Sequence, residues 1–318
     1  MRTVTARAPT RIDFGGGWTD VPPFCDERGG RVCNLAIDRY ATVTLTAAPT
    51  SATDVRAAAD SPLAQAATRR AGVRGVRSTL RSDFPTGAGL GGSSAVGVAM
   101  VAALRAWQGQ SVTDLQAIVQ DSRAVETEEL GIAGGWQDHY AAAHGGALDL
   151  TFGVSTTVHP IPLSDTTRRA LEAQCLVLYT GQSRISGDTI TAVLDAYARR
   201  DAAVTNALLR IQALAGDMAG ALAAGDLDAL GDAVRDHWAH QRALHPAITT
   251  PQIDAIVDLA TRHGARGCKA LGASGGGCVA VLAPPGQVDA IREAIAPLGR
   301  LLNFAVDLDG VTVTEQPT

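Results

Sequence analysis

Residues 85 to 95, Pro-Thr-Gly-Ala-Gly-Leu-Gly-Gly-Ser-Ser-Ala, place four glycines and two serines at the start of an apolar, alanine-rich segment. The chemistry this suits is anion binding. A glycine-rich turn running into a helix leaves backbone N–H groups unpaired at the positive end of the helix dipole, which is where a phosphate sits well. Gly87, Gly89, Gly91 and Gly92 allow close backbone approach, and Ser93 and Ser94 can cap the helix or reach a metal ion.

Three further segments carry groups for a reaction beside that phosphate site. Residues 8 to 20 hold Gly15, Gly16 and Gly17, followed by Trp18, Thr19 and Asp20. Asp13, Thr19 and Asp20 offer acceptors for the hydroxyls of a polyol, with Trp18 as an apolar platform for a sugar face. Residues 124 to 140 bring Glu126, Glu128 and Glu129 to a helix end, and a glycine turn then delivers Asp138. One carboxylate for Mg²⁺ and another near a substrate hydroxyl is what phosphoryl transfer needs; two of the three glutamates then belong to a solvated face. His139 and His144 read as structural, since their spacing is not that of a zinc protease. Residues 267 to 281 contain a second glycine loop, and Gly275 and Gly276 are placed to face phosphates from the opposite wall of a cleft.

The elements that must position these groups follow from pattern. Residues 3 to 8 and 32 to 46 read as strands, and 77 to 82 as a short strand feeding the first glycine loop. A buried helix is expected from Ser93 to about Trp107, and a second, capped by Ser111, to about Glu129. Residues 147–152 and 156–161 read as a hairpin, and 175–180 as a strand. Long alanine-rich helices are expected from about Ser186 to Ala224 and from Leu227 to Leu244, and Thr250-Pro251 opens another. Strands at 267–271 and 278–282 flank the second glycine loop; a helix at 286–296 and a strand at 301–306 close the unit. A boundary near residue 155 divides the chain into domains of residues 1–155 and 156–318.

Composition narrows the function classes. The 318 residues are 46% hydrophobic, with a net charge of −5, which excludes a general nucleic-acid binder. Arginines clustered from Arg69 to Arg81 read as a solvated face. Five dispersed cysteines without a CxxC pair support neither a disulfide framework nor a structural zinc site. No signal peptide is evident and no apolar run approaches membrane-spanning length, so a cytoplasmic protein without a membrane partner is expected. The glycine loop is not a Walker A motif, which needs Lys-Ser or Lys-Thr after its last glycine; the chain's one lysine, Lys269, lies far downstream. It is not a protein kinase or a Rossmann fingerprint either, for want of the strand lysine and of a correctly spaced acidic residue.

Taken in order, the four segments resemble the GHMP kinases, and the likeness spans residue 7 to about 283. The loop at 85–95 fits the family pattern Pro-x-x-x-Gly-Leu-Gly-Ser-Ser-Ala with Gly92 as a variant, and the second loop fits Gly-Ala-Gly-Gly-Gly except that Ser274 replaces a glycine. The resemblance implies an α+β fold of two domains, the first like domain 2 of ribosomal protein S5 and the second ferredoxin-like. It implies ATP held by Pro85, Gly87, Gly89, Leu90, Gly91, Gly92, Ser93, Ser94 and Ala95 with Gly275 and Gly276, and Mg²⁺ on Ser94 and Glu126. It makes Asp138 the catalytic aspartate and Arg11 its partner, a pairing expected to keep Asp138 ionised. Asp13, Gly16, Gly17, Trp18, Thr19 and Asp20 form the acceptor side, Asp20 as a ligand of a sugar hydroxyl. The runs around Trp18, Asn34, Trp136 and Tyr179 look like the branch of sugar 1-kinases that act on a heptose 7-phosphate or on L-fucose. A phosphorylated acceptor calls for a cation, for which Arg184, Arg28 and Arg31 are the candidates. The family lysine expected near residues 240–242 is Gln241 here. The partner is a small sugar or sugar phosphate, and a homodimer is compatible with the sequence.

Overall fold

The computed structural model describes residues 2–48, 61–182 and 187–316. The first half runs β1 (Thr3–Gly15), α1 (Phe24–Arg28), β2 (Gly30–Ala47), α2 (Pro62–Arg70), β3 (Val76–Ser82), α3 (Gly92–Trp107), α4 (Leu115–Ala124) and α5 (Gln137–His144). There follow β4 (Ala147–Phe152), β5 (Thr157–Ile161), α6 (Asp165–Gln174), β6 (Cys175–Tyr179), α7 (Gly187–Ala198), α8 (Ala202–Ala224) and α9 (Leu227–Leu244). The chain ends with α10 (Pro251–Arg262), β7 (Gly267–Ala270), β8 (Cys278–Leu282), α11 (Val288–Ile295), β9 (Arg300–Leu302) and β10 (Thr312–Gln316).

The fold is α+β, with two antiparallel sheets. The larger has the order β10-β1-β2-β4-β5, with β3 also paired to β2; the smaller has the order β7-β8-β6-β9. Long β1 and β2 serve two cores. Val4, Ala6, Ala8, Val43 and Leu45 pack with α3 in one, while Ile12, Phe14, Leu35 and Ile37 pack in the other with Val177, Met218 and Ala280 from the second half. Between these stretches the β1–β2 register shifts at Pro9/Thr10 and again at Asp13/Gly15. Such irregularities re-aim side chains, and here they flank Arg11 and Asp13. In β6, Cys175 and Val177 face this second core while Leu176 and Leu178 face a third, as the two-residue period of a strand covered on both sides requires. The central helix α3 is apolar all round and buried along nearly its whole length, which suits a helix enclosed by α2, α4, α5 and the sheet.

Several expectations change. Both β5 and β10 join the larger sheet, Thr3 lying opposite Gln316, so residue 155 does not separate the two sheets. The cap of α4 is Asp114, whose carboxylate accepts the N–H of Ala117 at 3.0 Å, rather than Ser111. The single helix expected up to Ala224 is two, because Arg200 adopts φ 61° and Asp201 accepts the N–H groups of Ala203 and Val204 to start α8 afresh. Ser186 lies outside the described residues. Among those residues α8 is long and apolar enough to cross a membrane, contrary to expectation. Half of its apolar window is buried, against α9 and β2 among others, as in a core helix built on alanine.

Candidate active site

The cleft opens where the first glycine loop meets β1, the Gly17–Val21 turn and the start of α5, with Gly272 and Ala273 of the second glycine loop completing one wall. Its volume is about 530 Å³. The loop is pinned by its carbonyls: Ala88 accepts Cys278 N–H at 2.8 Å, Gly89 accepts Arg11 Nη1 at 2.6 Å, and Leu90 accepts Arg11 N–H at 3.0 Å. With the carbonyls engaged and no side chain capping α3, the first-turn N–H groups of that helix remain for an anion. Pro85, Gly87, Gly89, Leu90, Gly91, Gly92, Ser93 and Ser94 all line the cleft; Ala95 does not, being fully buried in the first core.

Asp138, the second residue of α5, faces this loop. A side chain on Gly91 would sit 3.0 Å from its carboxyl carbon, and Gly91 itself adopts φ +72°. Arg11, buried in β1, donates Nε to Asp138 Oδ1 at 2.8 Å and places Nη2 at 2.7 Å from the same oxygen. The expected pairing is therefore present, and burial acts against it. Burial raises the Asp138 pKa, and Arg11 and His139 only partly offset this, with Glu126 and Asp13 adding to the rise, so the net shift is upward. About a quarter of the side chain still faces the open cleft. A carboxylate moved toward neutrality and in reach of a hydroxyl is suited to accepting a proton.

Behind it, Ser94 Oγ donates to Glu126 at 3.3 Å and His139 Nε2 lies 3.1 Å from Glu126 Oε2. The other imidazole nitrogen of His139 is 3.0 Å from Ser122 Oγ. Burial works to raise the Glu126 pKa, but His139, Ser93 and Ser94 outweigh it and hold the carboxyl below its usual range. Glu126 lies on a π turn, Val125–Glu129, that follows α4; such turns recur at functional sites. An ionised carboxylate beside a hydroxyl is a hard oxygen donor pair of the kind that suits Mg²⁺ completed by phosphates and water. Among the described residues no group of three His, Cys, Asp or Glu side chains could hold a metal alone. Glu128 and Glu129 instead pair with Arg70 at the surface.

Also lining the cleft, Asp13 is buried against the chain's one lysine. Lys269 Nζ donates to the Asp13 backbone carbonyl at 2.9 Å and to Oδ2 at 3.1 Å, reaching from the smaller sheet to the larger. Asp13 Oδ1, Gln137 Oε1 and Trp18 Nε1 are buried without a hydrogen-bond partner, and all three residues line the cleft. Buried polar atoms are rarely left so unless a ligand satisfies them. Trp18 has φ +84°, an unusual conformation for a bulky residue and one that gathers at functional sites. Gly17 sits against Asp13 and Gln137, where a side chain would approach to 2.5 Å and 2.8 Å.

Other expected site residues are occupied elsewhere. Thr19 Oγ1 donates to Gly16 O and accepts Arg31 N–H, and Gly16 N–H donates to buried His237, so both brace the turn behind the cleft. Gly275 and Gly276 do not line the cleft, and the N–H of Gly275 is used by Ile248 O. Arg31 forms a bidentate pair with Asp149, and Arg28 is exposed away from the cleft lining; Arg184 lies outside the described residues. The two departures from the family pattern touch each other: Gln241 Nε2 donates to Ser274 Oγ at 2.8 Å. Sequence reasoning missed Gln137, the roles of His139 and Lys269, and an apolar end of the cleft at Leu63, Leu80, Phe84 and Val96. Only Lys269, alone of its type, carried a signal.

The chain matches the GHMP kinases N terminal domain over residues 55–146 and the GHMP kinases C terminal domain over residues 218–299. It is 25% identical to the D-glycero-alpha-D-manno-heptose 7-phosphate kinase of Campylobacter jejuni, covering 98% of both chains. It is 27% identical to the L-fucokinase/L-fucose-1-P guanylyltransferase of Bacteroides fragilis over 89% of this chain, of which it spans only 35%. Among solved structures, a D-glycero-D-manno-heptose 1-phosphate kinase from Bacteroides thetaiotaomicron superposes with a TM-score of 0.78 at 22% identity, covering 99% of this chain and 100% of that one. The Lactococcus lactis galactokinase complexed with galactose superposes at 0.75 and 17% identity, covering 98% and 95%.

Proposed function

The chain belongs to the GHMP kinase family and is an ATP-dependent phosphotransferase acting on a small sugar, and we propose that its acceptor is a heptose 7-phosphate, phosphorylated on the anomeric hydroxyl. The observation that carries this reading is the placement of Asp138. It stands against the phosphate-cradling turn at Gly91, held by Arg11, with the unpartnered acceptors of Asp13 and Gln137 beside it.

In this reading the glycine loop and the N-terminus of α3 hold the phosphates of ATP. The apolar end formed by Leu63, Leu80, Phe84 and Val96 takes the base. Asp13 and Gln137 accept hydroxyl hydrogens from the sugar, and Trp18 donates Nε1–H. Asp138 accepts the proton of the attacking hydroxyl, and Arg11 both aims that carboxylate and offsets charge on the moving phosphoryl group. Ser94 and Glu126 would hold Mg²⁺, which when bound neutralises phosphate charge; His139 keeps Glu126 ionised for that task.

One observation favours a second reading, a kinase of an unphosphorylated sugar such as L-fucose. Among the described residues lining the cleft, Arg11 is the only cationic side chain, and it is already paired. The test is ADP release from Mg-ATP across heptose 7-phosphate, sedoheptulose 7-phosphate, L-fucose, galactose, mevalonate and homoserine, with Asp138→Asn as control. Turnover confined to the phosphorylated heptose and lost in the control supports the first reading. Turnover with a free sugar selects the second, and turnover with mevalonate or homoserine alone refutes both.

A further inference from the structure

Asp20 occupies the position that the family resemblance gives to a sugar-hydroxyl ligand and lines the cleft, and one of its carboxylate oxygens is engaged within the protein. Oδ2 accepts the N–H of Trp136 at 2.8 Å and of Gln137 at 3.0 Å. These two amides open α5, whose own cap residue, Trp136, contributes no side-chain bond. The helix start is thus capped by a carboxylate from a loop 116 residues earlier in the chain. Such a cap satisfies orphan donors and places negative charge at the positive end of the helix.

We propose that Asp20 is a positioning residue that, through Oδ2, docks the N-terminus of α5 and so holds Asp138 on line with the acceptor hydroxyl. The proposal rests on the role given to Asp138 above. Helix α5 has only eight residues, so its direction is set by what grips its ends and faces, not by its own stability. Asp138 is one residue beyond the second capped amide, and a tilt of the first turn moves its carboxylate directly.

The segment before the helix is shaped around the same carboxylate. A side chain on Gly135 would come within 2.0 Å of Asp20 Oδ2 and 2.5 Å of its Cγ. Gly135 is not among the positive-φ glycines, so its backbone does not demand glycine; Asp20 does. The charge is kept at a cost. Burial, with Asp138 and Asp13 nearby, pushes the Asp20 pKa up to about 6 against the bond from Gln137. Arg123, which also interacts with it, is stacked 4.0 Å over the Trp136 ring.

The test compares Asp20→Ala, Asp20→Asn, Gly135→Ala and the Asp20→Ala/Gly135→Ala double variant, using whichever acceptor the wild type turns over. Misplacement of a catalytic group is worth on the order of ten- to a hundred-fold, so kcat of Asp20→Ala should fall by that much with the acceptor KM within about two-fold. Asp20→Asn keeps an acceptor for both amides and should stay within about three-fold of wild type. Gly135→Ala should reproduce Asp20→Ala, yet add nothing to it in the double variant, because the clash partner is gone. Residue-resolved amide exchange needs no acceptor and separates failure here from failure of the substrate assignment: Trp136 and Gln137 should exchange faster in Asp20→Ala and Gly135→Ala, but not in Asp20→Asn. An acceptor KM raised ten-fold or more with kcat preserved would make Asp20 a sugar ligand and overturn the proposal. So would unchanged exchange at both amides, or an Asp20→Asn enzyme as slow as Asp20→Ala.

Discussion

Replacing Lys269 by methionine removes a charge that stands, fully buried, between the two sheets. Its ammonium satisfies the Asp13 carbonyl and one carboxylate oxygen, while the other oxygen already lacks a partner. Methionine fills a similar volume, so packing loss is small and the effect isolates the orphaned carboxylate. Breaking a buried pair from one side costs roughly 3–5 kcal/mol, whereas replacing both partners with neutral groups is often close to neutral. Lys269→Met should therefore lose about 3–5 kcal/mol in urea unfolding at pH 7.5, followed by tryptophan fluorescence and circular dichroism. The Lys269→Met/Asp13→Asn double variant should recover most of that. A loss below about 1 kcal/mol, or a double variant no more stable than the single, would refute the reasoning that the pair is dry and mutually required.

Asp138→Asn should lower kcat on the order of 10²- to 10⁴-fold with little change in either KM, the range for loss of a general base. Because the Asp138 pKa is raised, its base form is lost as pH falls through a value above the ordinary ~3.9 of an aspartate; the acid limb of kcat/KM should lie above that value, and a limb at or below it counts against Asp138 as base. Gly91→Ala should cost about 1–2 kcal/mol for its left-handed backbone and also slow turnover by pressing on Asp138, whereas Gly109→Ala, at φ +70° with open space around it, should cost stability alone. Asp20 is a carboxyl whose folded pKa, about 6, exceeds its unfolded value, so the folded state binds the extra proton and stability from this group falls as pH rises from about 4 to 6. Asp20→Asn should then be more stable than wild type by up to about 3 kcal/mol at pH 7, with the gap closing toward pH 4 in thermal or urea unfolding; equal stability at both pH values refutes this.

What could be read from residues alone was local. Glycine spacing ahead of an alanine-rich helix identifies the tight turn before α3, because φ > 0 and close backbone approach are properties of single residues. Apolar strand runs at β6 and β8, the Thr250-Pro251 helix start, and the ordered motifs likewise depend on near neighbours, and with the family resemblance they suffice for the fold class, the family, and the pairing of Arg11 with Asp138. Which polar side chains are free to meet a substrate was not legible. Thr19 and Asp20 look as available as Asp13 in the sequence, but Thr19 is consumed by Gly16 and Arg31, and one carboxylate oxygen of Asp20 by the first amides of α5. The ion pair of Lys269 with Asp13 spans 256 residues, and Gln241 meets Ser274 across 33. The sign of the Asp138 shift was also hidden, since burial outweighs a partner that the sequence does reveal. Composition and spacing determine the parts and their local shapes; desolvation and hydrogen-bond competition, which exist only once distant segments have packed, decided which of those parts remain available for chemistry.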